Sequence, residues 1–186
     1  MRHVISALVM NEPGVLARVA GMFSARGFNI DSLVVGRTEK PELSRMTIVV
    51  NADDNTLDQV RKQLAKLVEV VGVHDFKGSS YIERDLALLT VSATQENRGD
   101  VIQIATLFRA KVVDVAPDSL VVELAGTEEK IEAFIELMQP FGITELARTG
   151  VIAMARGMQM GKAAASPSGK RTRSLNAPAA AALPPS

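Results

Sequence analysis

Two short stretches carry residue types that can hold a small charged molecule. Asn11-Glu12-Pro13-Gly14-Val15-Leu16 lies where an apolar, β-prone segment, Val4 to Met10, gives way to a helical spacing of apolar residues. Proline is preorganised for a first helical turn, and glycine lets backbone or ligand approach where a Cβ would intrude. A helix start presents unpaired N–H groups and a partial positive charge, which suits a carboxylate. Asn29 stands directly before a second strand starting at Ile30 and is expected beside the first loop. Its amide oxygen can accept from an ammonium group, while Val15, Leu16 and Ile30 surround an aliphatic side chain. Together these groups suit a small zwitterionic amino acid. They also have a purely structural reading, in which Asn11 caps the helix, Gly14 relieves crowding and Asn29 stabilises a turn. Spacing alone leaves both readings open.

Other chemistry is sparse. His3 and His74 are isolated on strands at no metal-ligand spacing and are expected to be partly exposed. Asp53-Asp54 and Glu128-Glu129 fall in first turns of helices, where carboxylates complement the dipole rather than form an acid-base pair. Arg156-Gly157-Met158-Gln159-Met160-Gly161 has the wrong glycine spacing for a phosphate-binding fingerprint, and no serine stands in a nucleophile elbow. Without cysteine there is no disulfide, thiolate metal site or thiol nucleophile. The 186 residues carry 21 basic and 21 acidic side chains, and that balance argues against a nucleic acid or an anionic membrane as partner. No apolar run reaches the roughly 18 residues of a spanning helix, and no secretory signal opens the chain, so the expected location is the cytoplasm.

The elements that position the two stretches follow from periodicity. Gly14 to Arg26 places Val15, Leu16, Val19, Met22 and Phe23 on one helical face. Ile30 to Val35 and Met46 to Val50 read as strands around a polar turn, Asp54 to Val68 as a helix and Val70 to Phe76 as a closing strand. The order β-α-β-β-α-β then repeats: strand Leu86 to Ala93, helix Gly99 to Phe108, hairpin Val112 to Val115 with Leu120 to Leu124, helix Glu128 to Met138, strand Ile143 to Met154. Gly14 aligns with Gly99, Phe23 with Phe108 and Ile30 with Val115 at one constant offset, which marks two copies of one module. The predicted class is α+β, with two ferredoxin-like βαββαβ modules over 1–78 and 82–156. The segment 157–186, rich in alanine and proline and free of acidic residues, is expected to be a disordered tail.

This fold class offers rival functions. RNA-recognition modules stack bases on aromatic residues of the sheet face, yet Val4 to Met10 and Met46 to Val50 contain none. Acylphosphatase-like enzymes cradle phosphate in the first loop with an arginine. Here Glu12 would repel the anion, and Arg18 lies about a turn too far along the helix.

Asn11-Glu12-Pro13-Gly14-Val15-Leu16-Ala17-Arg18-Val19, Arg26-Gly27-Phe28-Asn29-Ile30-Asp31-Ser32-Leu33 and Leu43-Ser44-Arg45-Met46-Thr47-Ile48 resemble the amino-terminal ACT domain of acetolactate synthase small subunits. Phe108 to Val115, Val122 to Thr127 and Ala147 to Val151 continue the likeness to about residue 157. The resemblance implies a non-catalytic regulatory subunit in branched-chain amino acid biosynthesis. Such a subunit activates a catalytic partner and confers feedback inhibition by valine, and sometimes by leucine or isoleucine. Thiamine diphosphate, Mg2+ and FAD would belong to that partner, leaving no cofactor in this chain. The resemblance further implies ACT domains paired side by side as a homodimer. The effector would lie between the first loop of one protomer (Asn11, Glu12, Pro13, Gly14, Val15, Leu16) and the segment before strand two of the other (Asn29, Ile30). A stand-alone amino-acid sensor and, more distantly, an acylphosphatase-like enzyme are the alternatives.

Overall fold

Alternating apolar strands and amphipathic helices resolve into two modules in the computed structural model, which describes residues 1–157. The first comprises β1 (Arg2–Met10), α1 (Val15–Ser24), β2 (Ser32–Arg37), β3 (Leu43–Asn51), α2 (Asp54–Leu64) and β4 (Val70–Asp75). The second comprises β5 (Tyr81–Ser92), α3 (Arg98–Leu107), β6 (Lys111–Val115), β7 (Ser119–Gly126), α4 (Glu128–Met138), β8 (Ile143–Arg148) and β9 (Ile152–Ala155). Each module is an antiparallel sheet, ordered β2-β3-β1-β4 and β6-β7-β5-β8, and the predicted pair of ferredoxin-like modules is what the chain forms. The expected tail falls outside the described residues from 158 onward.

The strand period of two sends Ile5, Ala7 and Val9 of β1 and Met46, Ile48 and Val50 of β3 to one face, where Val19 and Phe23 of α1 and Val60 and Leu64 of α2 bury them. Ala87, Leu89 and Val91 of β5 make the equivalent core with Ile131, Phe134 and Met138 of α4. Asp53 caps α2, its carboxylate accepting from the Thr56 N–H at 2.7 Å. Hydrogen bonding from Thr56, its side chain first and its N–H second, holds the Asp53 carboxyl below its usual range. A lowered folded-state pKa contributes stability above the unfolded value, near about pH 4, that is lost as pH falls through the folded value. Asp53→Asn keeps a capping oxygen without titrating, so its acid-unfolding profile should be flatter below pH ~4 than that of the parent chain. An identical acid limb would contradict this.

Three expectations are corrected, and the partial exposure expected of His74 holds. The strand predicted over Ile143 to Met154 is two strands, broken at Thr149-Gly150, where Gly150 takes φ 85° and turns the chain. β9 leaves the second sheet and pairs with the opening half of β5, Tyr81 opposite Ala155 and Arg84 opposite Ile152. Ala153 of β9 and Val151 just before it then pack with Val4, Val49 and Phe76 on the helix-free face of the first sheet. Strand two begins at Ser32 rather than Ile30, because Asn29 donates to the Asp31 carboxylate at 2.8 Å and Ile30 turns toward the first core. His3 is buried at 6% exposure, its Nε2 lying 3.1 Å from the Ala52 carbonyl beneath the start of α2. His74 is half-buried, edge-on to Phe76 at 4.6 Å. Among the described residues no helix is long and apolar enough to cross a membrane.

Candidate functional site

The loop joining β1 to α1 is held rigid by its neighbour. Asn11 receives a hydrogen bond from Ser44 Oγ at 3.2 Å, donates through Nδ2 to the Pro41 carbonyl at 3.1 Å, and donates its backbone N–H to the Glu42 carbonyl at 2.8 Å. Asn11 therefore does not cap the helix; it ties the loop to the β2–β3 turn. The capping position is Gly14, whose φ of 85° any side chain would resist, and no side chain caps α1. No acidic residue stands in the first turn. Arg18 is the first residue to close a helical bond, to Gly14, at 3.0 Å, and among the described residues the N–H groups of Leu16 and Ala17 find no acceptor. A Cβ at Gly14 would meet nothing within 4 Å, so space stands open beside this helix mouth.

The surroundings partly match the expected site. Glu12 and Pro13 are exposed, and Leu16 is 46% exposed and offers apolar surface at the mouth. Val15 is 4% exposed and belongs to the core, so it offers only its backbone. Arg18 is engaged by Glu69 at 2.5 Å and does not turn into the loop.

Within one chain Asn29 is not beside this loop. Ser32 pairs with Val49, and Val49 with Val4, so the lead-in to β2 lies where β1 begins. The loop follows Met10, which pairs with Leu43 at the other end. Six strand residues separate the two ends, about 20 Å at ~3.3 Å per residue. The adjacency expected of Asn29 assumed that strand two follows the loop in space, whereas α1 carries the chain back along the sheet first.

Sequence reasoning missed a second polar cluster. Asp85, at 2% exposure, accepts from Arg148 Nε at 2.9 Å and Nη2 at 2.6 Å, from Thr149 Oγ1 at 3.2 Å and from the Gly150 N–H at 3.1 Å. It borders a cavity of about 320 Å³ at the seam between the modules. An aspartate at the head of the Leu86 to Val91 apolar run and a glycine inside an apparent strand were its sequence signals. Among the described residues no group of three histidine, aspartate or glutamate side chains is placed to hold a metal.

Residues 5–72 match the family model of the AHAS small subunit-like ACT domain, and residues 84–157 that of the small subunit of acetolactate synthase. The probable acetolactate synthase small subunit of Archaeoglobus fulgidus is 55% identical over 157 residues, spanning 84% of this chain and 98% of that protein. The acetolactate synthase small subunit of Mycolicibacterium smegmatis is 49% identical over 155 residues, 83% of this chain and 91% of that protein. The crystal structure of the acetolactate synthase small subunit from Thermotoga maritima matches with a TM-score of 0.78 at 42% identity, covering 84% of this chain and 98% of that one. The chain belongs to the acetolactate synthase small-subunit family, as a regulatory subunit that carries an ACT domain.

Proposed function

We propose that this chain binds the thiamine-diphosphate-dependent catalytic subunit of acetolactate synthase, raises its activity, and lowers it again when valine occupies sites shared between two copies of the first module. Leucine and isoleucine carry the same charged groups and an aliphatic chain and fit the same chemistry. Thiamine diphosphate, Mg2+ and FAD belong to the catalytic partner, and this chain contributes no catalytic group.

The observation that carries the reading is the separation of the loop and Asn29 along one sheet. Among the described residues β2 is an edge strand, pairing only with β3. An edge must be paired or covered, and a two-fold axis beside β2 joins two sheets antiparallel. That operation sets the Ser32 end of one β2 against the Arg37 end of the other. Arg37 pairs with Ser44, the residue that also holds Asn11, so Asn29 of one protomer comes to the loop of its partner. Two sites result, each with a helix mouth for the carboxylate, an amide for the ammonium group and Leu16 and Ile30 for the aliphatic chain. A ligand bridging two protomers favours one orientation of the pair, and coupling of about 1–3 kcal/mol is typical of such control.

Measuring acetolactate formation by the catalytic subunit, with and without this chain and across a valine series, tests the reading. Stimulation that valine reverses supports it, and a catalytic subunit indifferent to the chain contradicts it. Asn29→His removes the amide oxygen and is expected to raise the valine needed for half-inhibition at least tenfold, roughly the 1.4 kcal/mol of one hydrogen bond to a charged group. Unchanged inhibition would remove Asn29 from the site. A stand-alone sensor would bind valine without capturing the catalytic subunit, which copurification distinguishes.

A further inference from the structure

We infer that Ser32 and the Thr149-Gly150-Val151 loop form the contact through which effector occupancy is passed to the second module, making Ser32 a positioning residue for inhibition. The inference rests on the effector-site reading above and adds its route of communication.

Ser32 opens β2, two residues after Ile30. Its hydroxyl receives the Val151 N–H at 3.2 Å, a bond that spans the seam between modules. Gly150 lies so close that a Cβ there would stand 2.5 Å from Ser32 Oγ and 3.0 Å from Val34 Cγ2. Backbone thus meets strand with no side chain between them. The loop is also fixed from behind, because Asp85 holds the Gly150 N–H, Thr149 Oγ1 and Arg148 together, and Arg148 continues to Glu132 on α4. Asp85 sits where β5 changes partner, with Arg84 paired to β9 and Ala87 to β8.

A connected path therefore runs from the lead-in of β2 through Ser32, Val151 and Gly150, and Asp85, to Arg148 and α4. Its first link is one hydrogen bond at 3.2 Å beside the close approach of Gly150 to Ser32 and Val34, and a shift of about an ångström breaks that bond because such bonds weaken beyond ~3.5 Å. Its later links run through a buried carboxylate bonded to Arg148, Thr149 and Gly150. Coupling between sites requires an element whose state both sites bias, and the Ser32 contact is where a polar side chain of β2 meets the second module. The modules are also joined by apolar contacts of Val4 and Val49 with Phe76 and Ala153 and by Arg2 with Glu83 and Glu128; of these only Val49 touches the lead-in of β2, through its backbone carbonyl, which accepts from the Asp31 N–H.

Ser32→Ala deletes the acceptor and relieves crowding at Gly150, so the chain should fold and melt close to the parent. Full-length dimer would be titrated with valine by calorimetry, free and in complex with the catalytic subunit, and the complex assayed across the same valine range. Linkage makes the ratio of the two affinities a direct reading of coupling. The expected result is valine binding by the free variant within about threefold of the parent, stimulation without valine retained, the affinity ratio falling toward one, and inhibition weakened at least tenfold in midpoint or halved in amplitude. A general structural role would not move the affinity ratio while sparing free-chain binding. If the parent binds valine and Ser32→Ala is inhibited with the parent's midpoint, amplitude and affinity ratio, this route is overturned and the site stands. If the parent itself gives no heat with valine, free or in complex, the effector-site reading falls and takes this route with it.

Discussion

Gly14→Asp is expected to abolish valine inhibition over the concentration range that half-inhibits the parent complex. The residue caps α1 at φ 85°, beside open space and ahead of N–H groups that find no acceptor. An aspartate there sets its own carboxylate over those donors and meets an incoming carboxylate with like charge. Losing two charge-assisted hydrogen bonds of ~1.5–3 kcal/mol each removes at least about 3 kcal/mol, two decades or more in affinity. Aspartate at φ 85° is strained, though less than most residues, so the stability cost should be near ~1 kcal/mol. Calorimetry with valine and chemical denaturation of the same material separate the two effects. Gly14→Ala, which shares the backbone strain without the charge, should lose much less affinity. Equal losses in both variants would mean that backbone distortion, not occupation of the anion site, is responsible.

Asp85→Ala should be the most damaging single change to the seam, at about 3 kcal/mol. The Asp85 side chain has no exposed surface and holds Arg148, Thr149 and Gly150. Removing one partner of a buried ion pair costs ~3–5 kcal/mol because the other is left uncompensated. The lower end applies here, since Arg148 keeps Glu132 and is 26% exposed. For a chain of this size the melting temperature should fall by roughly 6–12 °C. Asp85→Asn preserves an acceptor and should lose less than half as much. A loss below ~1 kcal/mol in Asp85→Ala would mean that the cluster is solvated and the loop is fixed by other contacts.

The two-module fold was legible because periodicity reports which face of each element is buried, and the aligned glycine and phenylalanine positions reported the repeat. The core residues Val19, Phe23, Leu57, Val60 and Leu64 follow directly from helical spacing. The first loop was legible as the entry to a helix, because proline and glycine mark a helix start, but the left-handed φ of Gly14 and the tie from Asn11 to the β2–β3 turn were not. What escaped was whatever depends on direction in space. Asn29 is close to the loop in order of elements yet at the far end of the sheet, because helix α1 spends the sheet's length before β2 starts. The break at Thr149-Gly150 escaped because Ile143 to Met154 is β-prone throughout and one glycine carries little weight against that. With it went β9, whose contact with the first sheet is a tertiary choice between two apolar faces that no local pattern distinguishes. Val15 counted as lining by adjacency, but its position on the stripe with Val19 and Met22 sends it inward.

Shared construction of the effector site is tested most directly by mixing two defective chains. Gly14→Asp and Asn29→His, each purified as a homodimer, should bind valine weakly or not at all, since every site in either contains one lesion. In a heterodimer one site collects both lesions and the other collects neither. Coexpressed chains pairing at random should therefore regain tight valine binding at about a quarter of the parent's sites, one site in each of the half that are mixed dimers. Calorimetric recovery of parent-like affinity at that stoichiometry is the predicted result. Heterodimers that form, as shown by differential tagging, and still give no heat with valine would contradict a site built from the loop of one protomer and Asn29 of the other.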